Sequence, residues 1–222
     1  MVALVTGGSD GLGKAIAKRL VASGWQVIIM SPTEEKLKAV SLELGCEYRV
    51  GDISDAAQVE KVVQSISKID ALINSAGIWI EGDLATNDPD KIRRVLEVNT
   101  LGTILMCRAV IPKMKSAGLG TIINIISMAG LGAKPLRSVY NASKWAITGF
   151  TKCLKMETPP EIKVVGIYPA LMRTNMFVTA GNPDKDTSKG LNVEEVAKTI
   201  EFVLNFGPDV EISAIEIVNP KY

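Results

Sequence analysis

Short β-branched runs alternate with longer amphipathic stretches along this chain, the pattern of βαβ units laid on a parallel sheet. Val2–Thr6 reads as a buried strand, and Leu12–Ser23 as a helix in which Leu12, Ile16 and Leu20 recur at i+4 before Gly24 ends it. The cycle repeats with a strand at Gln26–Met30, a helix at Thr33–Leu44, a strand at Cys46–Val50, a helix at Asp55–Ser67 that Asp55 can cap or support at its start, and a fourth strand at Ala71–Asn74. Three crossovers, right-handed by the general rule, are then complete. A long helix is expected from Pro89 to Ser116, with Gly102 and Pro112 counting against its continuity. Strands at Gly120–Ile126, Ile162–Tyr168 and Glu211–Val218 and helices at Val139–Glu157 and Val193–Asn205 finish the series. The expectation is one α/β domain over residues 1–222, a doubly wound parallel sheet of about seven strands flanked by helices. Pro159-Pro160 and Ala180–Gly190 read as loops, and a short substrate loop is expected around residues 175–192.

Composition removes several classes of function. Lys+Arg 25 against Asp+Glu 24 leaves a formal charge of +1, so no basic field draws the chain to nucleic acid or anionic lipid. Histidine is absent, which excludes Ser-His-Asp and Cys-His nucleophiles and His-containing metal sites. Cys46, Cys107 and Cys153 stand far apart without a CxxC pair, so no metal site is expected and a reducing cytosol fits best. Thr121 to Ala133, read as the most apolar stretch, is interrupted by Asn124 and Ser127 and falls short of the ~20 residues of a membrane span. Met1 runs straight into the first strand, so no secretory leader is expected.

Between the first strand and helix lies Thr6-Gly7-Gly8-Ser9-Asp10-Gly11-Leu12-Gly13, with spacing G-x3-G-x-G. Backbone N–H groups and the helix dipole there favour an anion, and glycine lets the chain approach it. A side chain at Gly7 or Gly11 would crowd the turn or a pyrophosphate, and one at Gly13 would hold the helix off the strand. Such a loop can also be only a tight turn, but its place as the first βα turn favours a dinucleotide. The second strand ends in Met30-Ser31-Pro32 with no carboxylate to repel a 2′-phosphate, which Ser31, Thr33 or Lys36 can contact; this leans to NADP over NAD, although Asp10 brings negative charge nearby. Asp52, in Gly51-Asp52-Ile53-Ser54, either meets an adenine amino group or caps its own turn.

Tyr140 and Lys144 share a helix face at i, i+4. In a chain without histidine they form a candidate acid–base pair, because a nearby ammonium and a cationic nicotinamide both favour the phenolate. Ser127 follows the fifth strand at the sheet edge where ligands sit, and its hydroxyl can orient a carbonyl or only turn the chain. Asn74 and Gly77 follow the fourth strand in Asn74-Ser75-Ala76-Gly77. Asn99, within the long helix, can kink it, hold a water or satisfy a buried carbonyl.

Thr6–Gly13, Asn74–Gly77, Asn99, Ser127 and Tyr140-x3-Lys144, in this order and spacing, resemble the classical short-chain dehydrogenase/reductase family over nearly the whole chain. The resemblance implies a Rossmann fold and hydride exchange between a nicotinamide cofactor and a carbonyl or secondary alcohol. It implies that Tyr140 is the general acid or base, that Lys144 lowers its pKa and binds the nicotinamide ribose, that Ser127 steadies the substrate oxygen, and that Asn99 holds a relay water. The cofactor would lie along Thr6, Gly7, Ser9, Asp10, Gly11, Leu12, Gly13, Ser31, Asp52, Ile53, Asn74, Ala76, Gly77, Tyr140, Lys144, Pro169 and Thr174, with Ile167 near the carboxamide. Ser75, Ile126, Tyr168 and Ala170 depart from common family residues. Trp79, Met172, Met176 and Phe177 are candidates for an apolar pocket wall, a role weighed against plain core. The family also implies a homodimer or homotetramer through the helices carrying Asn99 and Tyr140. The competing reading is an NAD(P)-binding sensor or scaffold without turnover.

Overall fold

The computed structural model describes residues 1–207 and 209–220. Seven parallel strands, β1 (Val2–Thr6), β2 (Gln26–Ser31), β3 (Glu47–Val50), β4 (Ala71–Asn74), β5 (Gly120–Ile125), β6 (Ile162–Pro169) and β7 (Ala214–Ile217), lie in the order β3-β2-β1-β4-β5-β6-β7. The chain reverses direction across the sheet between β1 and β4, where Thr6 pairs with Asn74. In an open parallel sheet the crevice beyond such a switch point is where ligands bind.

Helices cover both faces: α1 (Gly11–Ala22), α2 (Glu34–Leu44), α3 (Ala56–Gln64), α4 (Pro89–Leu96), α5 (Thr103–Ala117), α6 (Ser138–Glu157), the short α7 (Met176–Thr179) and α8 (Val193–Leu204). Leu12, Ile16 and Leu20 of α1, Leu37 and Val40 of α2, and Val196, Ile200 and Val203 of α8 pack with β1 and β2 residues into one buried cluster. Val59, Val62 and Val63 of α3, Met106, Val110 and Met114 of α5, and Leu154 of α6 form a second cluster around Leu4, Leu72 and Ile122. Each fully buried aliphatic side chain is worth about 1.5–3 kcal/mol relative to exposure, so these two layers hold the sheet rigid beneath the cleft.

The helix ends follow local chemistry. Asp55 caps α3 by accepting from the N–H groups of Ala57 and Gln58, as its position suggested. Asp88 caps α4 with Pro89 in the first turn, and Gly45, at φ 67°, closes α2 in the left-handed region. The long helix continues past both residues set against it. Glu97–Gly102 form a single π turn between α4 and α5, and Gly102 sits there because an added Cβ would lie 2.6 Å from the Ile53 side chain. Pro112 lies within α5 without ending it.

By length and composition it is this continuous Pro89–Ala117 stretch of 29 residues, rather than Thr121–Ala133, that could cross a membrane. Its Met106, Cys107, Val110 and Met114 are buried against the sheet, which is the placement of a core helix. The last strand is shorter than expected, and Met176–Thr179, read as coil, forms the helical turn α7.

Candidate active site

A cleft of about 1010 Å³ opens beyond the carboxyl ends of the strands. Gly7, Ser9, Asp10, Gly11, Leu12 and Gly13 line one end of it. Gly7 and Gly11 take φ of 68° and 51°, which an L side chain adopts only under strain. A Cβ on Gly13 would stand 2.3 Å from the Gly7 carbonyl oxygen, so its absence lets α1 pack directly on the turn. The Asp10 carboxylate caps α1 through the Gly11 N–H at 2.7 Å. Ser31, Asp52, Ile53, Ala76, Gly77, Pro169 and Thr174 also line the cleft.

Four expected contact residues do not line it. Thr6 is fully buried, and its Oγ1 accepts from the N–H groups of Ser75 and Ala76, holding the β4 loop against β1. Asn74 is buried and donates to the Asn124 side chain at 2.9 Å. Asn99 accepts from the Ile78 N–H at 2.8 Å, and its amide donates to the Ile78 carbonyl at 2.9 Å and to Ser143 Oγ at 3.2 Å. Of its sequence readings, the satisfied buried carbonyl is what the side chain makes, within a π turn. Ile167 is likewise core rather than cleft wall.

Asp52 serves its own turn. One carboxylate oxygen accepts from the N–H and hydroxyl of Ser54, and the other accepts from Arg94 Nη2. Burial pushes its pKa up, but Ser54 and Arg94 outweigh that and hold the carboxyl below its usual range.

Ser127, Tyr140 and Lys144 meet at the other end of the cleft. Ser127 follows β5 with φ 150° and ψ 157°, a strained region for a non-glycine residue that costs about 1–3 kcal/mol, and its Oγ accepts from the Ala129 N–H. Backbone strain of this kind clusters at active sites. Tyr140 and Lys144 are both about 6% exposed. Lys144 Nζ donates to the Ile125 carbonyl at 3.2 Å and lies 5.8 Å from the centre of the Tyr140 ring. Without a cofactor, the groups that lower the phenol are Ser127 and Arg137, and burial outweighs them. Burial pushes Tyr140 up to about 12, only partly offset by the Ser127 hydroxyl and the Arg137 guanidinium. Burial pushes Lys144 down to about 8, because an ammonium too is costly out of water.

The apolar wall is Trp79, Met172, Met176 and Phe177, all lining the cleft, with the Trp79 ring 4.2 Å from Tyr140 and 5.0 Å from Phe177 between centroids. Phe177 is also buried, so wall and core are one layer here. Arg137 and Lys185, which line the cleft, and Glu81 behind them escaped the sequence reading. Arg137 stands one helical turn before Tyr140, a spacing that could have drawn attention to it. Glu81 and Lys185 lie 104 residues apart, and nothing local joins them.

These residues fit a dinucleotide. The Ser75 hydroxyl in the cleft wall is buried without a partner, Lys144 has one acceptor for its three donors, and the glycine turn leaves room that side chains would fill. When bound, a nicotinamide dinucleotide supplies or accepts the hydride.

Residues 1–185 match the short chain dehydrogenase family. The chain is 35% identical over 196 residues to trans-4-hydroxycyclohexanecarboxylate dehydrogenase of Sinomonas cyclohexanicum, covering 81% of this chain and 74% of that protein. It is 37% identical over 182 residues to 3-alpha-(or 20-beta)-hydroxysteroid dehydrogenase of Mycobacterium bovis, covering 79% and 70%. Among solved structures, serine dehydrogenase complexed with NADP+ superposes with a TM-score of 0.92 at 28% identity, covering 98% of this chain and 94% of that one. The 3-ketoacyl-(acyl-carrier-protein) reductase of Brucella melitensis complexed with NADH gives 0.91 at 27% identity, covering 99% and 97%. The sheet order, the glycine turn and the convergence of Ser127, Tyr140 and Lys144 agree with these matches: the chain belongs to the short-chain dehydrogenase family and is a nicotinamide-dependent oxidoreductase of the CH–OH/C=O class.

Proposed function

We propose that this enzyme works as a carbonyl reductase on a compact, largely apolar ketone, with NADPH as its preferred donor. The observation that carries the reading is the convergence of Ser127, Tyr140 and Lys144 on the cleft that the glycine turn also lines. A phenol held near 12 is protonated at neutral pH, which is the state a proton donor needs. Tyr140 delivers its proton to the carbonyl oxygen as the carbonyl carbon gains hydride, and Ser127 steadies that oxygen. Lys144 has donors to spare for a ribose hydroxyl and supplies positive charge beside the phenol once its ring loses the proton. Asn99 is a positioning residue. It fixes the Ile78 backbone and, through Ser143, whose hydroxyl donates to the Tyr140 carbonyl at 2.7 Å, the first turn of α6.

The cofactor preference is supported by the end of β2, where Ser31 and Lys36 line the cleft and no carboxylate stands to meet a ribose. The named activities of the relatives, on a hydroxycyclohexanecarboxylate and on hydroxysteroids, support a cyclic ketone or alcohol. Residues 175–192 serve as the substrate cover, a role favoured by Met176, Phe177 and Lys185 in the cleft wall. The enzyme acts as a homo-oligomer in the cytoplasm. Exposed Leu101 and Trp145, at 43% and 50%, favour a partner on the helices of Asn99 and Tyr140, and three free cysteines suit a reducing compartment. The test is a panel of cyclic ketones followed at the nicotinamide absorbance, with NADH and NADPH side by side. Turnover lost in Tyr140→Phe, with cofactor affinity retained, supports the reading; cofactor binding without turnover by the wild-type enzyme on the whole panel refutes it.

A further inference from the structure

The cleft is far more cationic than the chain that builds it. Over the sequence the charges nearly cancel at +1. Lining the cleft, however, are seven Lys and Arg side chains against two carboxylates, Asp10 and Asp52. Both carboxylates belong to the dinucleotide end, where Asp10 caps α1 and Asp52 is held by Arg94. Around Tyr140, Trp79 and Phe177 the wall carries Arg137 and Lys185, and the lining residues there include no carboxylate among the described residues.

Glu81 stands behind that wall and is shared. It accepts from Arg137 Nε at 3.1 Å and from Lys185 Nζ at 2.8 and 3.0 Å, so one carboxylate serves two cations. Glu81 is accordingly held below the usual carboxylate range, against the burial that would raise it. The two cations remain in excess by one charge, with only 24% and 26% of their side chains exposed. Arg137 uses Nε alone for a hydrogen bond, which leaves its two terminal nitrogens as a fork for a planar anion.

Aromatic rings sit directly beneath these charges. The Arg137 guanidinium lies 5.2 Å from the Trp79 ring centre and Lys185 Nζ 6.0 Å from that of Phe177. The Trp79 indole N–H is buried without an acceptor. A surface with an apolar floor, two partly desolvated cations and an unpaired donor matches a molecule with a hydrophobic body and an anionic end.

We propose that the substrate is a ketone bearing a carboxylate, and that Arg137 and Lys185 hold that carboxylate while Trp79 and Phe177 pack on its apolar body. Glu81 is then a positioning residue that aims both cations. The subsite depends on the carbonyl-reductase reading only for the position of the reacting carbonyl beside Tyr140.

The test compares 4-oxocyclohexanecarboxylate with its methyl ester in wild type, Arg137→Gln and Lys185→Gln. The ratio of kcat/KM for acid over ester is expected to exceed about 10 in wild type and to fall about tenfold or more in Arg137→Gln, with a smaller fall in Lys185→Gln, since a charge-assisted bidentate contact is lost. Reading a ratio removes those effects of Arg137 on Tyr140 that acid and ester share, and Lys185→Gln and the binding measurement below do not involve Tyr140. Lys185→Gln, on a loop outside the sheet, keeps the test alive if Arg137→Gln does not fold. A wild-type ratio near 1, or a ratio unchanged in the folded variants, overturns the proposal. Calorimetric titration with cyclohexanecarboxylate and cyclohexanecarboxamide in the presence of NADP+ needs no turnover. Binding of the carboxylate at least tenfold tighter, and weakened in the variants, upholds the subsite even if neither ketone is reduced, in which case only the reductase reading falls. Equal binding of the two overturns the subsite.

Discussion

Lys144→Met should stabilise the cofactor-free enzyme near neutral pH, and the gain should shrink as pH rises. Lys144 is 6% exposed, and burial lowers its pKa from 10.5 to about 8. A depressed lysine pKa means that the unfolded chain binds the proton more tightly, so the penalty on folding is present below the folded pKa and disappears as pH climbs from about 8 to 10.5. At about 1.4 kcal/mol per pKa unit, the displacement costs roughly 3 kcal/mol at pH 7 and somewhat over 1 kcal/mol by pH 9.5. Methionine has similar length and no charge, but it leaves the Ile125 carbonyl without its 3.2 Å donor, which returns about 1 kcal/mol of instability at either pH. The variant should therefore be more stable by about 2 kcal/mol at pH 7, with the advantage narrowing by about 2 kcal/mol between pH 7 and pH 9.5. Urea denaturation of both proteins without cofactor, across that range, measures it. A stability difference that stays flat with pH would falsify the claim that Lys144 is held partly desolvated, and a Lys144→Met protein weaker than wild type at pH 7 would show that the ammonium has compensation the structure does not contain.

Tyr140→Phe should lower kcat by about 10²–10⁴-fold in steady-state assays, because only the transferable proton is removed, with the cofactor dissociation constant nearly unchanged by fluorescence titration. Gly13→Ala should weaken cofactor binding by at least about tenfold, since its Cβ would meet the Gly7 carbonyl at 2.3 Å and force α1 off the turn; an unchanged affinity would remove the turn from the binding site. Asn99→Leu should cost about 2 kcal/mol of stability in denaturant melts by leaving the Ile78 N–H and carbonyl unpaired, and should reduce turnover through the displaced Ile78 loop. Asp55→Ala should cost about 1 kcal/mol from the lost α3 cap and leave kinetic constants alone, which makes it the stability control for the other variants.

The sheet was readable in the sequence because its signals are local. Val2–Thr6 and Ala71–Asn74 are short buried runs whose bounds composition alone could set, and the glycine turn needs residues at fixed small spacing. Tyr140 and Lys144 were legible for the same reason, as a helix brings i and i+4 together whatever surrounds it. What escaped depends on contacts made across the fold. Thr6, Asn74 and Asn99 belong to the motif, yet each spends its side chain on backbone or buried amide groups beside the cleft, and a motif does not distinguish touching a ligand from holding the loop that does. The need for glycine at 102 was hidden because the Ile53 side chain that an added Cβ would meet lies on a distant segment. The burial of Tyr140 and Lys144 was illegible for a related reason: spacing places an ammonium near a phenol, while burial, which dominates both groups, is a property of the assembled core.

That burial bears on how the site works. Burial drives Tyr140 and Lys144 toward their neutral forms in opposite senses, so the protein alone stores the phenol with its proton in place. Of the groups facing it, Ser127 and Arg137 favour the phenolate, and Arg137 is the one also engaged by Glu81 at the mouth of the cleft. A carboxylate seated on Arg137 would offset its charge and so help keep the phenol protonated while the carbonyl is in place. If the substrate carries the proposed carboxylate, its anionic end and the proton donor would be coupled through one guanidinium a single helical turn away, so an acid and its ester should differ in the pH dependence of turnover as well as in binding.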